Sequence, residues 1–377
     1  MIAPVVSAAA PLAGLAVLGA LFACARTPSI SDGPVDAIDS LFTAFDHDGM
    51  PGAAVVVIRD GQVIVRKTYG LADVDSGTAI TPDTNFRLAS LSKAFTAAAV
   101  LLLVEDGRLA LDDPASRVLA ELPAYASDVT VRHLLTHTSG LWDYEDFVPD
   151  TQARQLKDID ALNLVAARAE SLYFTPGAEW RYSNTGYALL ALIVERVEGE
   201  RYARVLQRRI FEPLGMRGTV AFEEGVSSVS HRAYGHRVRG DSVRRTDQSN
   251  TSAVLGDGGV YSSIHDLILW DAALSAGTLI PASLWREATT PFRLSDGRAT
   301  EYGYGWFVDR FEGRVRHRHH GETRGFTHSI YRFPEERLTT IVLTNRSESA
   351  PWEKNDDIAR RHLEQAAITP DSSVRGR

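Results

Sequence analysis

SLSKAFTAAAVLLLVEDG, residues 90 to 107, is the stretch on which the reading of the whole chain turns. From Ala94 to Asp106 it is apolar nearly all round, which predicts a helix buried at the centre of the fold, with Gly107 just past its C-terminal end. Ser90 then stands at the N-terminal end. Three residues of helix bring Lys93 back beneath Ser90 on one face, while unpaired backbone N–H groups and the positive end of the helix dipole favour negative charge developing there. Lysine is scarce in this chain: Lys67, Lys93, Lys157 and Lys354 are the four among 40 basic residues. Arginine keeps its proton in proteins, whereas a shielded lysine can become a neutral amine. A lysine kept at this spot therefore points to proton transfer, and its spacing from Ser90 to an activated serine nucleophile. A serine three residues before a lysine also arises by chance, so the assignment needs further residues beside it.

Length and composition set the frame around that helix. A chain of 377 residues with 44% hydrophobic content can bury a large core and reads as globular. A net charge of -8, with arginines interleaved among acids, argues against nucleic acid as a partner. No side chain is charged before Arg26, and Val5 to Ala25 is continuously apolar or small, the composition of an export signal. Leu21-Phe22-Ala23-Cys24 resembles a bacterial lipobox, which predicts membrane attachment through a lipidated Cys24. Ala23-Cys24-Ala25 equally satisfies the small-x-small rule for ordinary cleavage. Either route makes residues 1–25 a leader and the mature protein a periplasmic or membrane-anchored one; an uncleaved anchor helix is the third reading, for which Pro4 and Pro11 make a poor span. Cys24 is the only cysteine, so the folded domain has neither a disulfide nor a cysteine metal site.

After a polar linker, residues 26–34, one catalytic domain spans 35–367, with 368–377 as a flexible tail. Val35 to Phe45 reads as a helix, and the β-rich runs Ala53–Ile58 and Val63–Tyr69 meet through Asp60-Gly61, a strong hairpin signal. The middle, about 101–290, reads as mostly helical, with apolar periodicity in Ala161–Ala169, Tyr187–Val197 and Leu267–Leu274. Strands return at Tyr302–Asp309, Arg314–His320, Thr327–Phe333 and Leu338–Leu343, and Trp352–Ala366 closes as a helix. The expected class is α+β, an α/β sandwich. An antiparallel sheet from both ends is flanked by terminal helices and carries an inserted helical subdomain, with the site where the two regions meet.

Two further segments bear chemistry. In Phe174–Tyr187 (FTPGAEWRYSNTGY) a Pro-Gly turn leads to Tyr182-Ser183-Asn184 before a helix that Ser183 or Asn184 would cap. An ordinary capped loop explains this; so does a site in which Tyr182 relays the serine proton and Asn184 orients Lys93 and binds a substrate carbonyl. The second segment is His319-His320-Gly321-Glu322. A glycine in an edge strand lets substrate approach the backbone, and the Glu322 N–H joins the Ser90 N–H as a two-donor oxyanion hole. The histidines of residues 316–320 (RHRHH) do not read as a metal site. No carboxylate stands at ligand spacing, and alternate strand residues face opposite sides. No cofactor is called for.

In order and setting, Ser90-x-x-Lys93, Tyr182-x-Asn184 and His319-x-Gly321 resemble the serine β-lactamase and penicillin-binding protein superfamily, in its class C β-lactamase-like branch with esterase and D-amino-acid peptidase relatives. His133–Leu141 (HLLTHTSGL), Pro213-Leu214-Gly215-Met216, Gly258–Ser263 (GGVYSS) and Gly325–Asn345 extend the likeness over roughly residues 35 to 365. The resemblance implies a serine hydrolase with catalytic Ser90, Lys93 and Tyr182, substrate contacts from Asn184, His319, Gly321 and Glu322, and a small-molecule ester, amide or β-lactam as substrate. His133 and His137 read as structural. One departure matters: many members carry Lys-Thr-Gly where this chain has His319-His320-Gly321. A fixed positive charge is thus missing, and Glu322 would repel an acidic substrate, although Arg324 partly restores the charge. Esters and small amides or D-amino-acid peptides are therefore favoured. The competing readings are a penicillin-binding envelope receptor or scaffold without turnover and, further off, a histidine metal site. Oligomeric state has no signature in the sequence.

Overall fold

A computed structural model describes residues 35–149 and 151–368. The segments expected as leader (with Cys24) and linker, and residues 369–377 of the expected tail, lie outside the described residues. The Val- and Ile-rich runs form β1 (Ala53–Arg59) and β2 (Gln62–Tyr69). Asp60 and Gly61 between them both adopt positive φ, 52° and 74°, the pair of left-handed residues that a tight two-residue hairpin turn requires. Late in the chain come β3 (Phe307–Phe311), β4 (Arg314–Thr323), β5 (Phe326–Phe333) and β6 (Leu338–Thr344). The six make one sheet in the order β3-β4-β5-β6-β1-β2, antiparallel throughout. The two ends of the chain are joined by β1 and β6, in register from Ala53 opposite Thr344 to Arg59 opposite Leu338.

There are four long helices, α1 (Ser92–Glu105), α2 (Asn184–Glu198), α3 (Ile264–Ala276) and α4 (Pro351–Ile368); α3 and α4 lie on the sheet, while α1 and α2 pack against each other in the helical region. Strand alternation sorts β1 between two cores. Val55 and Val57 join Phe42, Tyr331, Phe333 and, from α4, Ile358 and Leu363. Ala54, Val56 and Ile58 join Ile330, Ile341 and the residues of α1. Every residue of α1 from Ser92 to Leu103 is buried, as its apolar circumference predicts. Each buried Val or Leu there is worth roughly 1.5–3 kcal/mol against exposure, so α1 is an anchored platform for the groups at its N-terminus.

Several boundaries differ from the sequence expectation. The strand expected at Tyr302–Asp309 begins only at Phe307. Residues 302–306 run irregularly because the backbone is pressed against neighbours: a Cβ on Gly303 would lie 2.0 Å from the Ala288 carbonyl oxygen. One on Gly305, at φ +77°, would lie 2.9 Å from that of Lys93. The middle of the chain holds its expected helices, including Asp158–Arg168, but also short strands. Phe86–Arg87, Val260–Ser262 and Val220–Ala221 form a three-stranded sheet, and His236–Arg239 pairs with Ser242–Arg245. Two to four residues are too few for a period-2 pattern to register. β4 is not an edge strand: β3 covers it, but only up to Arg318, so His319–Thr323 runs on past its neighbour with that side uncovered.

Candidate active site

Ser90 sits in a single 3-10 turn, Ala89–Leu91, that leads straight into α1. Ala89 has φ +50°, a conformation costing an alanine roughly 1–2 kcal/mol, which persists only where the surroundings over-determine it. They do so from two sides. On one, the Leu88 N–H donates to the Val260 carbonyl at 2.8 Å and the Val260 N–H donates to Ser92 Oγ at 3.1 Å. On the other, β4 passes so close that a Cβ on Gly321 would stand 2.3 Å from the Leu88 carbonyl oxygen. Gly321 therefore serves backbone-to-backbone packing of strand against nucleophile turn, and Glu322 follows it beside the turn, its side chain exposed.

Lys93, one helical turn on, is fully buried. Its Nζ has three oxygen neighbours: Ser90 Oγ at 3.2 Å, Asn184 Oδ1 at 2.8 Å and the Asp257 backbone carbonyl at 3.0 Å. The Asn184 and Asp257 oxygens are bound as carbonyl acceptors and must each receive an N–H. An ammonium can donate to all three oxygens; once it has given up a proton, the amine keeps two hydrogens for the carbonyl acceptors and turns its lone pair to the Ser90 hydroxyl. The arrangement can hold a base against a nucleophile.

Tyr182 comes in from the loop before α2, its ring centroid 4.9 Å from Lys93 Nζ. Among the described residues no hydrogen bond joins its hydroxyl to Ser90 or Lys93; the contact is through the ring. His137 holds this tyrosine from both sides along the chain. The His137 carbonyl accepts from Arg181 N–H at 2.9 Å, its Nδ1 accepts from Ser183 N–H at 3.2 Å, and its ring lies 4.3 Å from that of Tyr182. Burial, with the nearby Lys93 charge, pushes the His137 pKa well below the usual histidine range. The ring is neutral, with its proton on Nε2. His137 itself has φ +58°, a second strained residue beside the site. His133 instead closes a capping box with Thr130 at the helix Val131–Leu135, away from the nucleophile.

Neither Ser183 nor Asn184 caps α2 with its side chain, contrary to the sequence expectation. The cap comes from Asp143, 41 residues earlier, whose Oδ2 accepts the Asn184 N–H at 2.6 Å. That leaves the Asn184 amide free for Lys93. Asp143, His137 and the Asp257 carbonyl are the participants that sequence reasoning missed. Two act through backbone groups or across long separations, which leave no spacing signal, and the third was read only as structure.

His319 is 2% exposed and locked. Nδ1–H donates to the His320 carbonyl at 2.7 Å, and Nε2 accepts from the Tyr302 hydroxyl at 3.0 Å. Burial and then the Lys93 charge hold its pKa down at about 3, so the ring is neutral at any physiological pH. It lies against Tyr182 and Phe307, with centroids 6.3 and 5.4 Å away. His320 faces the opposite side of the sheet, stacked on Trp352 at 5.5 Å. The histidines of the 316–320 run thus diverge, as strand alternation requires. Among the described residues no three His, Cys, Asp or Glu side chains converge as a metal site.

Comparison with known proteins gives this geometry a lineage. A model of the Beta-lactamase family matches residues 38–365. Penicillin-binding protein 4* of Bacillus subtilis (strain 168) is 32% identical over 341 residues, covering 86% of this chain and 75% of that protein. The D-aminopeptidase of Gluconobacter oxydans (strain 621H) is 30% identical over 324 residues, 80% of this chain; the match spans 57% of that enzyme's length. Among solved structures, D-amino acid amidase from Ochrobactrum anthropi SV3, complexed with L-phenylalanine amide, superposes with a TM-score of 0.75 at 26% identity. It covers 88% of this chain and 99% of the other. A penicillin-binding protein homologue from Pyrococcus abyssi, described as octameric, gives a TM-score of 0.76 at 27% identity, covering 88% and 77%.

Proposed function

This chain belongs to the Beta-lactamase family and is a serine hydrolase, and we propose that it works through an acyl-enzyme on Ser90, with esters and small amides, D-amino-acid amides among them, as substrates. The observation that carries the mechanism is the buried Lys93 amine, 3.2 Å from Ser90 Oγ and held by two carbonyl acceptors. Ser90 Oγ attacks the substrate carbonyl, an Oγ–C bond forms, and the hydroxyl proton passes to Lys93. The N–H groups of Ser90 and Glu322 receive the oxyanion, each donor worth about 10²- to 10³-fold. As the bond to the leaving group breaks, Tyr182 relays the proton to the departing oxygen or nitrogen. Water then attacks the acyl-enzyme through the same groups in reverse.

Substrate class follows from charge. The neutral His319, closed off by Tyr302, offers no cation to a substrate carboxylate, and Glu322 stands exposed beside the strand end. Uncharged esters and amides are preferred over substrates that must anchor a terminal carboxylate. The relatives named as D-aminopeptidase and D-amino acid amidase support small amides within that class. Mass spectrometry after incubation with an activated ester checks the mechanism: a single acyl increment on the Ser90 peptide, followed by its loss on turnover, is expected. Turnover without that increment would reject the mechanism. Export, with a lipid on Cys24, belongs to the proposal through the uncharged leader. Acyl labelling in a bacterial host, abolished by Cys24→Ala, checks it.

A further inference from the structure

We propose that the cavity walled by Trp180 and Phe307 is a leaving-group subsite, selective for an aryl or bulky apolar alcohol or amine and against an anionic one. The proposal rests on the Ser90 mechanism above. The cavity measures about 590 Å³ and is lined by Trp180, Phe307, Leu294, Glu179, Glu301 and Arg298, among others, a volume fitted to a drug-sized group. Trp180 is 37% exposed, one of the few large apolar side chains left so among the described residues. Its ring is 6.1 Å from Phe307, and Phe307 in turn stacks parallel to Tyr182 at 6.4 Å and lies 5.4 Å from His319. Tyr182 does not itself line the cavity; Phe307 is the wall residue that links it to Tyr182 and His319.

That adjacency fixes which part of a substrate enters. In acylation the Ser90 Oγ–C bond forms, the C–O or C–N bond breaks, and the serine proton ends on the departing atom. The group that delivers the proton must reach that atom, so its substituents lie on the Tyr182 side of the scissile bond and the acyl chain on the other. A cavity on the Tyr182 side therefore receives the leaving group. Its charge is specific too. Arg298 is held by Asp296 at 2.6 Å, whereas Glu179 and Glu301 have no ion-pair partner among the described residues. An amine product, cationic once released, is accommodated; a carboxylate is repelled.

Methyl and benzyl acetate share an acyl group and have alcohols of similar acidity, so their ratio of kcat/KM isolates the subsite. Wild type is expected to favour benzyl by about 10-fold or more. Trp180→Ala should bring the ratio toward one, and Ala299→Trp, at an exposed lining position, should do so by filling the space. Ratios unchanged in both variants would overturn the proposal. So would variants that alter discrimination between methyl acetate and methyl phenylacetate instead, for then the cavity holds the acyl chain. A separate measurement does not depend on catalysis: calorimetric titration of Ser90→Ala with benzylamine and with phenylacetate. Benzylamine should bind, about 10-fold weaker when Ala299→Trp is added, and phenylacetate should not. Equal or absent binding of the two overturns the subsite even where the esterase reading stands, whereas failure of every ester with benzylamine still bound overturns the mechanism alone.

Discussion

Two carbonyl oxygens take two hydrogens of the Lys93 amine, and the third direction meets Ser90. Arginine at this position would keep a charge and donate to both carbonyls, yet has no lone pair to accept the serine proton. Lys93→Arg is expected to lower kcat about 10²- to 10⁴-fold, read as loss of the acylation burst in protein whose melting shows it folded; a burst at the wild-type rate would remove Lys93 as base. His137 makes a different residue-scale claim, that it positions and does not titrate. His137→Phe keeps a ring under Tyr182 but removes the acceptor for Ser183 N–H. About a 10-fold fall in kcat with little change in KM is expected, and a pH–rate profile of unchanged shape, because the native ring is neutral throughout. A shifted profile would instead make His137 a proton carrier. The sequence made the Ser90–Lys93 pair legible because side-chain chemistry at helical spacing leaves a pattern, whereas Tyr182, in the loop before α2, came only with the family resemblance. It hid the Asp257 carbonyl, because any residue supplies a carbonyl.

At the scale of elements, the site exists because β4 and the Ser90 turn touch backbone to backbone. A methyl group at Gly321 would stand 2.3 Å from the Leu88 oxygen, so Gly321→Ala must push strand and turn apart. A loss of activity of about 10²-fold or more is expected, the worth of a displaced oxyanion donor, together with a lowered melting temperature. An alanine variant of wild-type activity would show that the strand end takes no part. Asp143→Ala removes the cap of α2 and should cost about 1 kcal/mol, with activity falling further as Asn184 loses its hold on Lys93; thermal melts and kcat/KM read the two effects apart. The sheet, α1 and α2 were legible since long runs carry their periodicity openly. The cap was not, because Asp143 reaches α2 across 41 residues. Nor was the covering of β4 by β3, since strand order is set by pairing and leaves no mark in either strand. The same holds for the irregular path of 302–306, where the packing of two glycines decides.

Across the whole molecule, buried ionisable groups set how stability depends on pH. Burial holds His317, His320, His328 and His362 at about 4 and His319 at about 3, whereas an unfolded histidine titrates near about 6.5. Between those values the unfolded chain binds protons that the folded one refuses, so stability rises with pH through that window and is lost as pH falls from 6.5 toward 4. Two aspartates act oppositely. Burial raises Asp158 to about 7 and Asp257 to about 8; from about pH 4 upward the folded state keeps protons that the unfolded state has released, and stability falls with pH until each ionises. With His133, His137 and His236 also held down and Asp143 and Glu145 also held up by burial, eight histidines stand against four carboxyls, which leaves a net gain with pH below 6.5; above it the raised carboxyls oppose it. Urea unfolding at intervals from pH 4 to 9 should show greatest stability between about 6 and 7, a steep acid limb and a shallow decline to about 8. Asp257→Asn, which keeps an acceptor for the Tyr144 hydroxyl that now bonds Asp257 at 2.9 Å, should flatten the alkaline decline and leave the acid limb intact. Stability that climbed from pH 7 to 8 in the wild type would mean that Asp257 is ionised beside Lys93, and the charge assignment at the site would then have to be redrawn.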